Sequence, residues 1–382
     1  MFSILAILLA LVASLAVTGG FVWAGRRYPG RLTDNDFAGP QKVHDRAVPR
    51  VGGIGIAAGL WLAAGVLWLM EPAAIGKPAL WLLACGLPTL LAGLAEDITK
   101  RVSPSQRLLW TALSAALAIG ALGVTLNRTD LPGLDWAVAF APFAMLLTVF
   151  AVAGVANSIN LIDGFNGLAS TCVALMLGGL AWVGWQVGDS LVTPLALAGV
   201  AAVLGFLAWN YPRGLIFLGD GGAYFLGFFL AELGLMLSYR NPQVSPLFPL
   251  LLVIYPVFET VFSMYRRKWL QRKPVGQPDA SHLHSLIFRR CLHADFAALD
   301  SAERVRRNSM TSPFLWALTL LSVVPALLFW DNSPMLIVCG VGFCVVYVTI
   351  YWRIVRFKLP RSRPAAGAAV NPKGAPEIRR TP

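Results

Sequence analysis

Long apolar runs separated by short polar segments make up most of this sequence. Eleven of these runs approach the roughly 20 residues that an α-helix needs to cross a bilayer. They cover approximately residues 2–24, 51–70, 78–95, 107–126, 136–156, 168–187, 191–209, 222–238, 246–264, 312–330 and 335–352. The pattern predicts an all-α fold, a polytopic membrane bundle of about 11 transmembrane helices that forms a single domain over residues 1–356.

Composition supports this class of protein. The chain is 57% hydrophobic and only 13% charged, and that charged fraction is about half of what soluble domains carry. Residues 357–382 instead combine Pro, Ala and Gly with scattered Arg and Lys. We therefore expect a basic, disordered tail that is attracted to lipid headgroups. The five cysteines show no metal-ligand spacing, which argues against zinc and against disulfides.

The basic residues predict the orientation of the helices. With eleven spans, all Lys and Arg residues except Lys77, Arg128 and Arg240 fall in alternate loops and in the C-terminal tail. Because basic loops stay in the cytoplasm, the N-terminus is predicted to be periplasmic and the C-terminus cytoplasmic. The net charge of +12 is then explained by topology and by an anionic lipid surface or substrate, and no nucleic-acid partner is expected.

Polar residues collect in five clusters on the side predicted to be cytoplasmic. The clusters cover residues 41–53, 93–104, 157–167, 209–222 and 278–290. In the third cluster, Asn157, Asn160 and Asp163 fall within an arc of ~120° on one helix face. A membrane helix gains nothing from such an end unless something polar binds there, and the alternative is a simple capped helix end.

Two clusters carry carboxylates that suit a divalent cation. The adjacent acids Glu96 and Asp97 repel each other unless a cation or a shared proton relieves them, and Lys100 lies one helical turn further on. Asp220 lies between glycines where a span begins. A helix N-terminus suits phosphate, and a carboxylate there can hold Mg²⁺. The alternatives are a surface ion pair between Glu96 and Lys100, and Asp220 as an ordinary N-cap.

The last cluster contains two histidines. On a regular helix His282 and His284 diverge by ~200°, so that one faces the site while the other packs or forms a hydrogen bond. The alternative is an amphipathic helix at the membrane surface whose apolar residues lie in lipid, namely Leu283, Leu286, Ile287 and Phe288. Two further acids, Glu232 and Glu259, lie in or near spans, where acids are usually functional or paired.

Taken in this order, the five clusters resemble those of the polyprenyl-phosphate N-acetylhexosamine-1-phosphate transferases. The most specific similarities are Asn157, Asn160 and Asp163, residues 217–221, and the pair His282 and His284. The family includes the UDP-GlcNAc:undecaprenyl-phosphate GlcNAc-1-phosphate transferases and the phospho-MurNAc-pentapeptide transferases. The resemblance implies that undecaprenyl phosphate attacks the β-phosphorus of a UDP-sugar and releases UMP, in the bacterial cytoplasmic (inner) membrane.

The resemblance also implies residue roles and partners. A metal ion, Mg²⁺ or Mn²⁺, is expected on Asp220 and Asp163. The residues expected to take part in catalysis are Asp97, Glu96, Lys100, Asp163, His282 and His284. The residues expected to bind substrate are Asn157, Asn160, Asn166, Asn210, Phe217, Gly219, His44 and Arg50. The expected partners are a UDP-N-acetylhexosamine, undecaprenyl phosphate and the lipid bilayer, with a homodimer left open.

Three departures from the family pattern bear on the branch. Glu96 stands where the family has aspartate, Asn166 stands where a further aspartate is common, and the triple histidine of the pentapeptide branch is absent. Together with residues 44–53, this favours the N-acetylhexosamine branch. Phospho-MurNAc-pentapeptide transferase and an inactive membrane scaffold of the same fold remain as alternatives. A secondary transporter would place its polar site between repeats at the bilayer midplane, and an aromatic prenyltransferase would show carboxylates at four-residue spacing. The sequence has neither pattern.

Overall fold

The computed structural model describes residues 2–28, 33–34, 48–272, 281–291 and 300–356. Within these ranges the regular secondary structure is helical apart from two short strands, β1 (Thr33–Asp34) and β2 (Val48–Pro49), which pair in antiparallel register. The all-α prediction is confirmed for this part of the chain. The predicted tail and His44 lie outside the described residues.

The helices follow the apolar runs with shifted ends. They are α1 (Phe2–Arg27), α2 (Gly52–Met70), α3 (Ala73–Cys85), α4 (Leu87–Thr99), α5 (Pro104–Leu122), α6 (Leu134–Val138), α7 (Ala141–Ile162), α8 (Leu168–Gln186), α9 (Val192–Asn210), α10 (Gly219–Arg240), α11 (Leu247–Leu252), α12 (Ile254–Tyr265), α13 (Leu283–Leu286), α14 (Ser301–Leu328) and α15 (Ser333–Arg356). Single turns of π-helix follow α12 and α13, at Arg266–Leu270 and Ile287–Cys291.

Nine segments of the described chain are long and apolar enough to cross a membrane: α1, α2, α3 with α4, α7, α8, α9, α10, α14 and α15. The other two predicted spans correspond to α5 and to the pair α11 and α12, which are not among the nine. α5 opens with a polar turn that ends in Arg107. The helix breaks at Val253, between α11 and α12, because Pro256 has no N–H to continue the hydrogen-bond ladder. The protein is thus a polytopic helical membrane protein, and the count of 11 and the orientation stay predictions.

α10 lies at the centre of the bundle. It packs against α2, α4, α7 and α8, and 83% of the residues in its most apolar stretch are buried. Its first turn meets two neighbours through facing glycines. A Cβ on Gly53 would lie 2.2 Å from the Cα of Gly222, and a Cβ on Gly93 would lie 2.4 Å from the Cα of Gly221. Helices α2 and α4 therefore contact α10 backbone to backbone, which explains why Asp220 is flanked by more glycines than a cap requires.

A network around one carboxylate closes the opposite end of the bundle. Asp189 accepts hydrogen bonds from the backbone N–H groups of Leu191 and Val192 at the start of α9, each 2.9 Å long. It also accepts bonds from Arg240 and Asn241 at the end of α10, again at 2.9 Å. Burial alone would raise the pKa of this carboxyl, but the four hydrogen bonds hold it below its usual value. The Asp189 carboxylate thus ties the start of α9 to the end of α10.

Candidate active site

The predicted polar clusters meet at one end of the bundle. Helices α2 and α10 begin there, α4 and α7 end there, and the segment around His284 packs against the end of α7. The predicted site residues that come together in the described chain are Arg50, Asp97, Asn157, Asn160, Asp163 and Asp220. In the described chain, residues from four of the predicted clusters thus lie together at one end of the bundle.

Asp97 holds the start of α10. Its side chain is 1% exposed, and its two oxygens accept hydrogen bonds from the backbone N–H groups of Asp220 and Gly221, each 2.9 Å long. Gly219 makes this approach possible. Its φ is +77°, and a Cβ there would lie 2.6 Å from Asp97 Oδ2 and 2.1 Å from the carbonyl oxygen of Arg50. Asp97 thus supplies a capping carboxylate from another helix to the N-terminus of α10.

Asp220 is therefore not the cap of its own helix. Leu218 occupies the N-cap position, and the half-buried Asp220 carboxylate is directed at other side chains. Its Oδ1 accepts a hydrogen bond of 3.0 Å from the Asn160 amide and lies 3.9 Å from the Arg50 guanidinium. Its Oδ2 contacts the guanidinium of Arg107. The N-cap alternative is wrong, since the Asp220 carboxylate contacts the side chains of Asn160, Arg50 and Arg107 instead.

Arg107 is a site residue that the sequence analysis did not single out. It extends from the first turn of α5 to Asp220 and lies 5.7 Å from the ring centroid of Tyr224. The Tyr224 hydroxyl in turn donates a 3.0 Å hydrogen bond to Asn157 Oδ1. Its position at the start of an apolar run that has no other charge could have indicated a site residue. The general preference for basic residues in cytoplasmic loops explains that position equally well.

Asp163 lies just beyond the end of α7, at its C-cap. Burial among protein atoms raises the pKa of its carboxyl to about 7. The Arg50 guanidinium acts in the opposite direction, and the Asp97 carboxylate adds to the increase. Arg50 thus lies within electrostatic reach of Asp97, Asp163 and Asp220. Burial is therefore the main cause of the raised pKa of Asp163.

These residues fit a hard divalent cation that is shared with a substrate. Among the described residues, no three His, Cys, Asp or Glu side chains lie close enough to enclose a metal ion. Mg²⁺ does not need such a cage, since one or two carboxylates, water and substrate phosphates usually complete its shell. Asp220 and Asp163, with the amide oxygen of Asn160, supply ligands of the appropriate type. The donor set thus favours Mg²⁺ or Mn²⁺ over zinc.

The histidines are arranged differently from the expectation. His282 is in extended conformation before α13, so the helical divergence of ~200° does not apply, and its ring stacks on that of His284 at 5.3 Å and 13°. His284 also lies edge-on to Phe165, with ring centroids 5.6 Å apart. The surface-helix alternative is wrong as well, because its apolar residues are buried in protein: Leu283, Leu286, Ile287 and Phe288.

Of the two acids in apolar runs, Glu259 bonds to this segment, whereas Glu232 is buried within α10.

Asn210 and Asn166 form hydrogen bonds that connect neighbouring loops. Asn210 accepts a 2.6 Å hydrogen bond from the N–H of Gly167 and donates one of 2.7 Å to the carbonyl of Ile216. The backbone N–H of Asn166 donates to Asn308 at 2.8 Å, and its amide donates to Pro212 at 3.2 Å. Both asparagines are buried. The geometry gives them a structural role, and their predicted contacts with substrate stay predictions.

The remaining predicted residues border the site. Glu96 accepts a 2.7 Å hydrogen bond from the N–H of Val102 and so closes the turn after α4. Lys100 is the exposed, left-handed C-cap of α4, with φ of 56°. Phe217 is half-buried, and its carbonyl accepts a 3.0 Å hydrogen bond from the N–H of Gly52. Glu96 and Asp97 thus point to different partners rather than forming one paired site.

This chain is similar to known glycosyl transferases. Residues 79–238 match the profile described as glycosyl transferase family 4. The chain is 32% identical over 249 residues to a probable undecaprenyl-phosphate N-acetylglucosaminyl 1-phosphate transferase of Bacillus subtilis (strain 168), covering 64% of this chain and 66% of that protein. It is 25% identical over 291 residues to the undecaprenyl-phosphate alpha-N-acetylglucosaminyl 1-phosphate transferase of Escherichia coli (strain K12), covering 73% and 76%.

A similar protein of Yersinia pestis, bearing the same name as the Escherichia coli one, is 24% identical over 352 residues, covering 88% of this chain and 90% of that protein. The chain thus spans just under two thirds of the Bacillus relative and more of the other two. Residues 79–238 thus carry the sequence pattern of glycosyl transferase family 4. The matched segment contains Asp97, Asp163 and Asp220 and ends before the histidines.

Proposed function

We propose that the protein transfers an N-acetylhexosamine-1-phosphate from a UDP-sugar to undecaprenyl phosphate and releases UMP. The observation that carries this proposal is the joint placement of Asp97, Asp163, Asp220, Arg50 and Arg107 at one end of a membrane bundle. A lipid phosphate at the bilayer surface and a water-soluble nucleotide sugar can meet only at such an end. The names of the Bacillus and Escherichia relatives specify undecaprenyl phosphate and N-acetylglucosamine 1-phosphate, which supports the same chemistry here.

Charge neutralisation is the main task of the site, because both substrates carry phosphate. Asp220, Asp163 and Asn160 are the residues that would hold Mg²⁺, which supplies neutralisation of the donor diphosphate when bound. Arg50 and Arg107 approach Asp220 from two sides. Their guanidinium groups are suited to exchange that carboxylate for phosphate oxygens, since planar guanidinium binds both in bidentate geometry.

Asp97 acts through the backbone rather than as a base. Both of its oxygens already accept hydrogen bonds from α10. A phosphate monoester with a second pKa near ~6 is mostly ionised at neutral pH and needs little deprotonation. An oxygen of the lipid phosphate then forms the new bond to the β-phosphorus, and the bond from that phosphorus to UMP breaks. A covalent aspartyl route would instead permit exchange of labelled UMP without lipid.

The function is tested with the purified full-length protein, undecaprenyl phosphate, Mg²⁺ and a panel of UDP-sugars that includes UDP-MurNAc-pentapeptide. We expect UMP release with UDP-GlcNAc or a related N-acetylhexosamine, in equal amounts with a lipid-linked sugar diphosphate. EDTA is expected to stop release, because the diphosphate then loses its main counter-charge. Release only with the pentapeptide donor would assign the protein to the other branch. If UMP is released with none of the donors, the inactive-scaffold alternative remains.

We place the reaction on the cytoplasmic side of the bacterial inner membrane, where the basic loops are predicted to lie. This placement rests on the distribution of Lys and Arg, and the contacts of Arg50 and Arg107 with Asp97 and Asp220 at one end of the bundle support it. A homodimer stays a prediction.

Replacing Lys100 by alanine is expected to lower kcat/KM by about tenfold to a hundredfold, the range for one charge-assisted hydrogen bond to phosphate. The residue is exposed at the rim of the site, directly after the turn that carries Asp97. Arg101→Ala is the matched control, since Arg101 is an exposed neighbour with the same charge. Equal rates for Lys100→Ala and wild type would assign Lys100 to the protein surface alone.

A further inference from the structure

The histidine segment is held by a buried acid that the mechanism above does not use. Glu259, in α12, is fully buried. Its Oε1 is 3.1 Å from His282 Nδ1 and accepts a 3.1 Å hydrogen bond from the N–H of Leu283. Its Oε2 accepts a 2.5 Å hydrogen bond from the Tyr347 hydroxyl in α15. One carboxylate therefore joins three separate parts of the chain.

These contacts define the protonation of the imidazole. The Leu283 N–H and the Tyr347 O–H both donate to Glu259, and donors to a carboxyl group favour its ionised form. An ionised carboxylate is an acceptor only, so His282 Nδ1 must carry the proton between them. The other ring nitrogen, Nε2, is then the one left to act toward a ligand. This arrangement is the carboxylate–imidazole pairing that orients histidines at many reactive sites.

The position of the rings connects this pair to the acids of the site. His282 stacks on His284, and a Cβ placed on Gly164 would lie 3.3 Å from His284 Nε2. Gly164 directly follows Asp163 in the chain. A rotation of His282 would therefore disturb His284 and the end of α7, where Asp163 lies.

A second anchor fixes the backbone before the histidines. The Arg266 guanidinium donates a 2.8 Å hydrogen bond to the carbonyl of Ser281 and another of 2.8 Å to the Tyr351 hydroxyl. This anchor holds the backbone of the segment at Ser281, directly before His282. Glu259 is thus the group that sets ring orientation and proton location, whereas Arg266 sets the path of the chain.

We propose that Glu259 is a positioning residue for phosphoryl transfer: it keeps a proton on His282 Nδ1 and fixes the orientation of the stacked His282 and His284 rings beside the end of α7. The inference rests on the proposed function for its kinetic consequence, but the protonation of His282 is independent of any substrate. No proton or bond is exchanged with Glu259 during the reaction. Its effect is to hold the histidine pair in one orientation beside the acid cluster.

The kinetic test compares Glu259→Gln, His282→Asn and the double variant with wild type. Glu259→Gln keeps the size of the side chain but loses the charge, and we expect kcat to fall about 10–100-fold, the scale for removing a partner that orients an imidazole. The double variant is expected to be within about threefold of His282→Asn alone, because two residues that act as one unit are not additive. Glu259→Asp, which retains a carboxylate, is expected to recover part of the loss.

Tyr347→Phe is the matched control. It removes one hydrogen bond from the same carboxylate and leaves the bond to His282 intact. We expect a lower Tm but kcat within about threefold of wild type, since the imidazole remains oriented. Losses in kcat that multiply in the double variant, or an equal loss in Tyr347→Phe, would mean that Glu259 only supports the fold, and the proposal would be overturned.

A measurement without substrate separates this proposal from the proposed function. The chain has four histidines, and ¹⁵N labelling of histidine followed by NMR, with assignment through His282→Asn, reports which ring nitrogen of His282 is protonated. We expect a proton on Nδ1 in the wild type and a changed pattern in Glu259→Gln. Unchanged His282 signals in that variant would overturn the proposal, even if UMP release is observed. Conversely, absence of UMP release with every donor would reject the proposed function but not this result.

Discussion

Replacing Asp220 by asparagine is expected to reduce turnover by about a thousandfold or more, the effect of losing several kcal/mol of metal-assisted charge stabilisation. The substitution retains the shape of the side chain and an acceptor for the Asn160 amide, but it removes the charge that faces Arg50 and Arg107. UMP release would measure turnover, and Mn²⁺ binding followed by EPR would measure the metal site directly.

The fold should survive the Asp220→Asn change. Asp220 is half-buried and caps no helix, so the Tm of the variant protein is expected to stay within a few degrees of wild type. Asp331→Asn is a suitable control, because Asp331 is an exposed acid in the turn between α14 and α15. Near-normal turnover, or unchanged Mn²⁺ affinity, in Asp220→Asn would remove Asp220 from the metal site.

Replacing Asp97 by asparagine is expected to lower both stability and turnover. The side chain is 1% exposed and accepts two N–H donors. An asparagine offers one acceptor oxygen and one NH₂ group, so a donor would face a donor at either Asp220 or Gly221. A buried unsatisfied group costs about 1–3 kcal/mol, and the displaced first turn of α10 is expected to reduce kcat by about 100-fold or more, since misplacement by 1 Å can have that effect.

The contrast between the two variants is the informative result. Thermal unfolding and UMP release would be measured on both in the same detergent. If Asp97→Asn retains wild-type Tm while losing activity, Asp97 acts on the substrate rather than on α10. If it retains full activity, the capping role is not needed for the reaction. Asp97→Glu is less useful as a control, because the longer side chain would displace both carboxylate oxygens from the N–H groups of α10.

Much of the location of the site was predictable from sequence. Asn157 and Asn160 do share one helix face, and both contact residues of α10, as their spacing indicated. Asp220 at the mouth of an apolar run was identifiable because polar groups are unfavourable in lipid. Hydropathy placed the ends of helices less well. α7 continues to Ile162 and α10 begins at Gly219, since helical hydrogen bonds extend through polar residues as readily as through apolar ones.

The partners of these residues were not predictable. Arg107 and Glu259 are separated from Asp220 and His282 by 113 and 23 residues in the chain, and only packing brings each pair together. The histidines were misjudged because a regular helix was assumed, whereas α13 begins after His282. Periodicity describes neighbours within one element, and it carries no information about which helix lies opposite.

The contact between Asp97 and the start of α10 has a consequence for biogenesis. The hydrogen-bond donors that satisfy Asp97 lie 123 and 124 residues further along the chain, so a nascent protein carries this acid into the membrane long before its partners are synthesised. When α10 arrives, its glycines pack against Gly53 and Gly93 while the Asp97 carboxylate caps its first turn. Insertion of α10 therefore completes the packing and the charged site in one event. A chain in which α10 is misplaced lacks both.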